Sequence, residues 1–74
     1  MKNVEINQQP IELYKLLKFE GMVGSGGEAK AAVADGLVTV NGEIETRKRK
    51  KIMSGDVIKY GDDIIRIQLK SKTS

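Results

Sequence analysis

The chain has 74 residues, a formal net charge of +3, and neither cysteine nor histidine. A chain of this length supports one small hydrophobic core, and without Cys or His it lacks disulfides, thiolate metal sites, the commonest general base and the strongest nucleophile. We therefore expect a single domain that is no enzyme and holds no metal or cofactor. No apolar run resembles a signal peptide or a membrane span, so we also expect a cytoplasmic protein without a membrane partner.

The first third of the chain predicts a short strand followed by a helix. Residues 4–6 alternate apolar and polar side chains, which is typical of an edge strand, and Pro10 suits the first turn of a helix. The helix is predicted over residues 11–19, and Gly21 ends it. Leu13, Leu16 and Leu17 have helical spacing, and Tyr14 extends the buried stripe. We expect both Tyr14 and Phe19 to belong to the core instead of stacking on bases.

A second helix is predicted from a capping box. The Ser25 hydroxyl can accept a hydrogen bond from the amide of Glu28, whose carboxylate can reach back to the Ser25 amide. The apolar residues that follow are small and have helical spacing, and Gly36 suits the left-handed position after a helix that runs to about Asp35.

The start of this second helix is also a candidate anion site. Gly26 and Gly27 can expose backbone amides to a phosphate at the positive end of the helix dipole, and Lys30 would add a charge one turn further on. Simple helix capping by Ser25 is the alternative interpretation, and both can hold together.

A β-hairpin is predicted around Asn41 and Gly42. A two-residue loop would pair Val40 with Glu43 and place an acidic side chain on the same face as an apolar one. We therefore favour a three-residue loop, which pairs Val40 with Ile44.

Two further strands are predicted over residues 57–60 and 64–69, with Ile65, Ile67 and Leu69 facing the core. The element order predicts an α+β fold in which two helices pack on a small, twisted, mostly antiparallel sheet of four to five short strands. We expect this domain to cover residues 1–69 and residues 70–74 to form a disordered basic tail.

Five consecutive cations follow the hairpin, and without them the chain would be slightly acidic. These residues are Arg47, Lys48, Arg49, Lys50 and Lys51. A solvated face is the usual meaning of such a run, but the sequence contains no acidic run of similar density, so a polyanion is a reasonable partner. In an extended segment, alternation would place Arg47, Arg49 and Lys51 on one face.

The chain resembles the RNA-binding domain named after ribosomal protein S-four, the S4 domain, in which two helices pack on a twisted sheet. The segments S-G-G-E-A-K (residues 25–30) and E-T-R-K-R-K-K (residues 45–51) resemble its small free-standing YbcJ-like group. The residues that carry the resemblance are Leu13, Leu16, Leu17, Gly21, Ser25, Ala29, Val33, Gly36, Val38, Thr39, Val40, Asn41, Gly42, Gly55 and Asp56.

The resemblance implies binding of structured RNA, ribosomal or transfer RNA, by a monomer, with ribosomal particle proteins as further partners. In the family, the loop of Asn41 and Gly42 lies beside RNA. Many members have Arg where this chain has Glu12 and Gly26, so we expect residues 47–51 to supply much of the charge. The alternatives are an adaptor for an acidic protein or an assembling particle, and a binder of duplex DNA.

Overall fold

The computed structural model describes residues 1–70, which form two helices and seven short strands. In chain order these are β1 (Lys2–Ile6), β2 (Ile11–Glu12), α1 (Leu13–Phe19), α2 (Gly26–Ala34), β3 (Val38–Val40), β4 (Glu43–Ile44), β5 (Lys51–Ile52), β6 (Val57–Tyr60) and β7 (Asp63–Leu69). The predicted α+β fold class is confirmed.

Five of the strands form one sheet in the order β1-β7-β6-β3-β4. β1 pairs with β7 in parallel, and the other neighbours are antiparallel. β2 and β5 form a separate two-stranded antiparallel sheet. The sheet is therefore mostly antiparallel, as predicted, and the predicted edge strand at residues 4–6 is confirmed as part of β1.

One apolar core joins both helices to both sheets. Its buried side chains are Val4, Ile6, Leu13, Leu16, Leu17, Val23, Ala29, Ala32, Val33, Val38, Val40, Ile52, Ile58, Ile65 and Ile67. α1 contributes three leucines at helical spacing, whereas α2 contributes mainly alanine, so the two helices can approach closely. Ile52 is fully buried, so it fixes the position of the C-terminal end of the basic run that precedes it.

α1 begins two residues later than the sequence predicts. Pro10 precedes β2 instead of opening the helix, because Ile11 pairs with Ile52 and Glu12 with Lys51. The partner strand lies far along the chain, so local periodicity could not reveal it.

The hairpin between β3 and β4 has a two-residue loop, so the three-residue register is wrong. Val40 pairs with Glu43, and both Asn41 and Gly42 have positive φ, as a type I′ turn requires. The objection to this register was an acidic side chain on the core face. It does not apply, because β4 is a two-residue edge strand with both side chains exposed.

Two apolar residues predicted in the core are exposed instead. Phe19 is 73% exposed at the end of α1, on the helix face of Glu12 and Lys15 and not on that of the buried leucines. Leu69 is 40% exposed at the end of β7. The exposure of Phe19 therefore agrees with the helical period. For Leu69, alternation identifies the face that it shares with Ile65 and Ile67 but not how far the neighbouring elements cover that face.

The predicted basic tail starts at Lys70, whose amide donates to the Ile6 carbonyl at 2.8 Å. Residues 71–74 lie outside the described part of the chain, so the prediction of disorder for them stays a prediction.

Candidate nucleic-acid interface

The five consecutive cations, which we call the basic segment (residues 47–51), form a turn and not an extended strand. The Lys50 amide donates to the Arg47 carbonyl at 3.1 Å, which closes a β-turn, and only Lys51 lies in a strand. The alternation that would place Arg47, Arg49 and Lys51 on one face is therefore absent, and the prediction of a basic strand is wrong for residues 47–50.

The turn directs its carbonyl groups at the start of α1. The Leu13 amide donates to the Lys50 carbonyl at 2.9 Å, and the Tyr14 amide donates to the Lys48 carbonyl at 3.0 Å. The first amides of a helix have no partner within the helix, and the Glu12 side chain does not cap them. The backbone of the basic segment therefore serves as the cap of α1 and is fixed by it.

The cationic side chains of the same segment extend into solvent. The Arg47 and Arg49 side chains are 72% and 69% exposed. Together with Lys50 and Lys51, they line an open depression in the surface. A concave surface lined by charges of one sign concentrates the electrostatic potential, so the depression favours an anionic ligand.

Two carboxylates, Glu45 and Glu12, lie next to the basic segment. The Arg47 guanidinium donates from Nε to Oε2 of Glu45 at 2.9 Å, and the Arg47 amide donates to the same oxygen at 3.1 Å. The side-chain hydrogen bond from Arg47 is the main cause that lowers the pKa of Glu45, and the same bond raises the pKa of Arg47.

The second carboxylate, Glu12, lies between two cations. Its Oε1 is 3.0 Å from Nζ of Lys15, and its Oε2 is 3.9 Å from Nε of Arg49. The hydrogen bond with Glu12 raises the pKa of Lys15. The sequence contains no acidic run that could neutralise the basic segment. In the fold, two single acidic residues that lie far apart in sequence, Glu12 and Glu45, offset part of its positive charge.

The Tyr14 ring on α1 lies between a lysine of α1 and a lysine of α2. The sequence predicted Tyr14 as a core residue only. Its ring is half-buried, with Nζ of Lys30 at 4.9 Å and Nζ of Lys15 at 5.9 Å from its centroid. These are cation–π distances. Helical spacing indicated that Tyr14 is partly buried, but the contact with Lys30 depends on how the two helices pack. We call the basic segment with Lys15 and Lys30 the basic surface.

Only one of the two hydrogen bonds predicted for the capping box of α2 is present. The Ser25 hydroxyl accepts from the Glu28 amide at 3.1 Å, which confirms the cap. The Glu28 carboxylate, however, accepts from the Gly24 amide at 2.8 Å and not from the Ser25 amide, so one internal anion already lies near this helix start.

Neither Gly26 nor Gly27 is required by internal packing. A Cβ at Gly26 would meet no atom within 4 Å, and one at Gly27 would meet only the Ser25 hydroxyl at 4.0 Å. Glycine is also an unfavourable helix residue. Lys30 lies one helical turn from Gly26, so the predicted residues at this helix start adjoin the basic surface through Lys30.

The predicted contact residue Asn41 is used inside the protein. Its Oδ1 accepts from the Val57 amide at 2.9 Å, and its Nδ2 donates to Oδ1 of Asp56 at 3.1 Å. Asp56 in turn accepts from the Met53 amide at 2.9 Å. The hairpin of Asn41 and Gly42 is thereby joined to the turn before β6, and its side-chain amide serves the fold.

Within residues 1–70, no three acidic side chains come together in a way that could hold a metal ion. Neither helix of that part of the chain has the length and apolar character needed to cross a membrane.

The chain is similar to known proteins. The family model described as S4 domain matches residues 4–68. An Escherichia coli (strain K12) protein named "Putative RNA-binding protein YbcJ" is 40% identical over 68 residues, which cover 90% of this chain and 97% of the relative. A Shigella flexneri protein named "Uncharacterized protein YbcJ" matches with the same identity and coverage.

The fold is also similar to a solved structure. The solution structure of YbcJ from E. coli superimposes with a TM-score of 0.70 at 39% identity, and the match covers 92% of this chain and 87% of that one. That structure is described as revealing an alfaL motif involved in RNA-binding.

Proposed function

The chain belongs to the S4 domain family, and from this membership and the basic surface we propose that it binds structured RNA without catalysing a reaction on it. The names and description of its relatives support this proposal, because the E. coli protein is named for RNA binding and its structure is described by a motif involved in RNA-binding.

The observation that carries the proposal is that the backbone and the side chains of the basic segment have different partners. The Lys48 and Lys50 carbonyls are bound to α1, whereas the arginine side chains are mostly exposed. Fixing the backbone of one residue costs about 1 to 2 kcal/mol of conformational entropy. Since this backbone is already ordered by the fold, RNA binding has to order only the side chains.

The chemistry of the surface suits phosphate more than base recognition. Arg49 can hold a phosphate with two parallel hydrogen bonds. Arg47, whose Nε and Nη2 donate to Glu45, has Nη1 available for a phosphate, and the lysines act as mobile point charges. Four or five phosphate contacts would give a log–log dependence of affinity on salt with a slope of about −3 to −5. We propose ribosomal or transfer RNA as the target, since their folded backbones present phosphates in a fixed arrangement.

A charge-reversal experiment tests the proposal. Arg47→Glu, Arg49→Glu and Lys51→Glu are combined and titrated against a labelled transfer RNA and a ribosomal RNA hairpin over a range of salt concentrations. We expect affinity to fall by about a hundred-fold or more near 0.1 M salt, with a shallower salt slope, because three phosphate contacts become repulsive. Circular dichroism checks the fold.

The matched control reverses the charge of three exposed residues outside the basic surface: Lys59, Arg66 and Lys70. This variant has the same net charge as the first and should lose far less affinity. Equal losses in both variants would show that only net charge matters, and unchanged binding in the first would refute the proposal.

Competition by DNA of matched length tests the choice of nucleic acid. We expect RNA to compete more strongly, because only RNA presents the 2′-hydroxyl and the shape of the A-form helix. Protein complexes that survive nuclease treatment, without RNA binding in the titration, would instead favour an acidic protein partner.

A further inference from the structure

A groove of about 640 Å³ adjoins the basic surface, between the segment after β1 and the exposed face of α1. Its walls combine apolar and polar groups, and its volume lies within the range of small-molecule sites, about 300 to 1,000 Å³. The residues that matter here are Asn7, Gln8, Pro10, Ile11, Lys15 and Phe19.

Phe19 gives the groove an exposed aromatic ring. The residue is 73% exposed, whereas both tyrosines of the chain are half-buried against the core. A single exposed apolar residue is common on a protein surface. Here, however, the exposed ring borders a groove that also has apolar walls from Pro10 and Ile11. An aromatic face of this kind can stack on any nucleobase.

Asn7 and Gln8 supply the polar side of the groove. A side-chain amide contains both a donor and an acceptor, so it can match the edge of a base, on which donors and acceptors also lie side by side. The groove therefore combines a flat stacking surface with hydrogen-bonding groups, which is the usual composition of a site for one unpaired base.

The groove is continuous with the basic surface. Lys15 belongs to both, and Glu12, which also lines the groove, is 3.9 Å from Arg49. Lys15 and Phe19 are one turn apart on the same face of α1, about 6 Å along the helix axis. A nucleotide with its phosphate at Lys15 can therefore place its base beside Phe19.

We propose that the groove binds one unpaired base of the RNA, stacked on the ring of Phe19, while the basic surface binds the phosphates of the adjoining stem. This inference rests on the proposed function and specifies the class of RNA, a helical stem with a bulged or single-stranded nucleotide.

Two RNA hairpins with the same stem, one fully paired and one with a single bulged nucleotide, test the inference. We expect the unmodified protein to bind the bulged RNA about ten-fold more tightly, the effect of one base stacked on an aromatic ring. Phe19→Ala should remove that preference and leave the affinity for the paired RNA unchanged. A 2-aminopurine at the bulge should change its fluorescence with the unmodified protein and not with Phe19→Ala.

Two control variants accompany Phe19→Ala. Phe19→Tyr keeps an aromatic ring in an exposed position and should retain the preference. Leu37→Ala removes an exposed apolar side chain that does not line the groove, and it should also retain the preference.

Equal affinity of the unmodified protein for both RNAs would overturn the inference, as would a preference that survives Phe19→Ala. Either result leaves salt-dependent binding to the paired stem intact, so it is distinguishable from failure of the proposed function. Absence of salt-dependent binding to either RNA would overturn both.

Discussion

The basic segment and the hairpin of Asn41 and Gly42 are both predicted from the sequence to contact RNA. In the fold, the first is held through its backbone carbonyls and the second through a side chain. In the basic segment, the Lys48 and Lys50 carbonyls bind α1 and the charged side chains reach solvent. In the hairpin, the Asn41 side chain is bonded within the protein, to the Val57 amide and to Asp56.

Because of this difference, substitutions in the two regions should affect different properties, RNA affinity in one and folding stability in the other. Side-chain changes in the basic segment leave its backbone hydrogen bonds in place, so they should alter RNA affinity with little effect on folding. Changes at Asn41 should do the reverse. A residue predicted as a contact is available to a ligand only if the fold leaves its polar atoms free.

The largest effect on stability is expected for Asn41→Ala. The substitution leaves the Val57 amide without its acceptor. It also places alanine at a φ of 54°, where it lacks the short polar side chain that lets asparagine adopt the left-handed region. We expect the free energy of unfolding to fall by about 1 to 2 kcal/mol in urea denaturation. RNA affinity measured well below the melting temperature should stay the same.

Asn41→Gly is the matched control, since glycine tolerates positive φ and removes only the side-chain hydrogen bonds. It should lose less stability than Asn41→Ala. If Asn41→Ala instead lowered RNA affinity and left stability unchanged, Asn41 would be an RNA contact and the comparison would fail.

A smaller effect, on affinity alone, is expected for Glu12→Gln. The change removes the carboxylate that lies between Lys15 and Arg49 and leaves a side chain of the same shape. One charge fewer near the bound phosphates should raise RNA affinity about two- to three-fold at low salt, and added salt should suppress the gain. Glu5→Gln, at an exposed position on β1, controls for net charge and should change affinity less. A gain that persists at high salt would contradict this electrostatic explanation.

The smallest effect is expected for Glu45→Gln, on the pH dependence of stability. Arg47 lowers the pKa of Glu45 below its ordinary value of 4.5 in the folded protein, so the charged carboxylate stabilises the fold above that pH. The stabilisation is lost as pH falls through the lowered, folded-state pKa. Because Arg47 is mostly exposed, solvent screens the interaction and its contribution to stability at neutral pH is small.

The unfolding free energies of the unmodified protein and of Glu45→Gln should therefore differ at pH 7 and converge below pH 4.5. Glu43→Gln, at an exposed position of β4, is the control. A difference that stays constant with pH would show that the Arg47 interaction does not depend on the charge of Glu45.

Features carried by local signals were predictable from the sequence. The Ser25 cap, the span of α2 and the strands β6 and β7 follow from capping and alternation within short windows, and the structure confirms them. The basic segment was identified from composition alone. Its solvent exposure agrees with the sequence, although its contact with RNA stays a proposal.

Features that depend on distant residues were not predictable. The pairing of β2 with β5 moved the start of α1, and the bonds from Leu13 and Tyr14 converted an expected strand into a turn. The register at Val40 was misjudged because an edge strand has no buried face to satisfy. The Tyr14–Lys30 contact depends on how α1 packs on α2, which no local pattern contains. The exposure of Phe19, in contrast, follows from its position on the α1 face of Glu12 and Lys15.

The parallel pairing of β1 with β7 determines when the sheet can be completed during synthesis. Lys2 lies opposite Ile65 and Ile6 opposite Leu69, so β1 needs a partner that is synthesised after every other strand of the sheet. Pairings of such large sequence separation slow folding, because the intervening chain must be ordered before they form. On the ribosome, β1 stays without its neighbour until the residues of β7 have emerged.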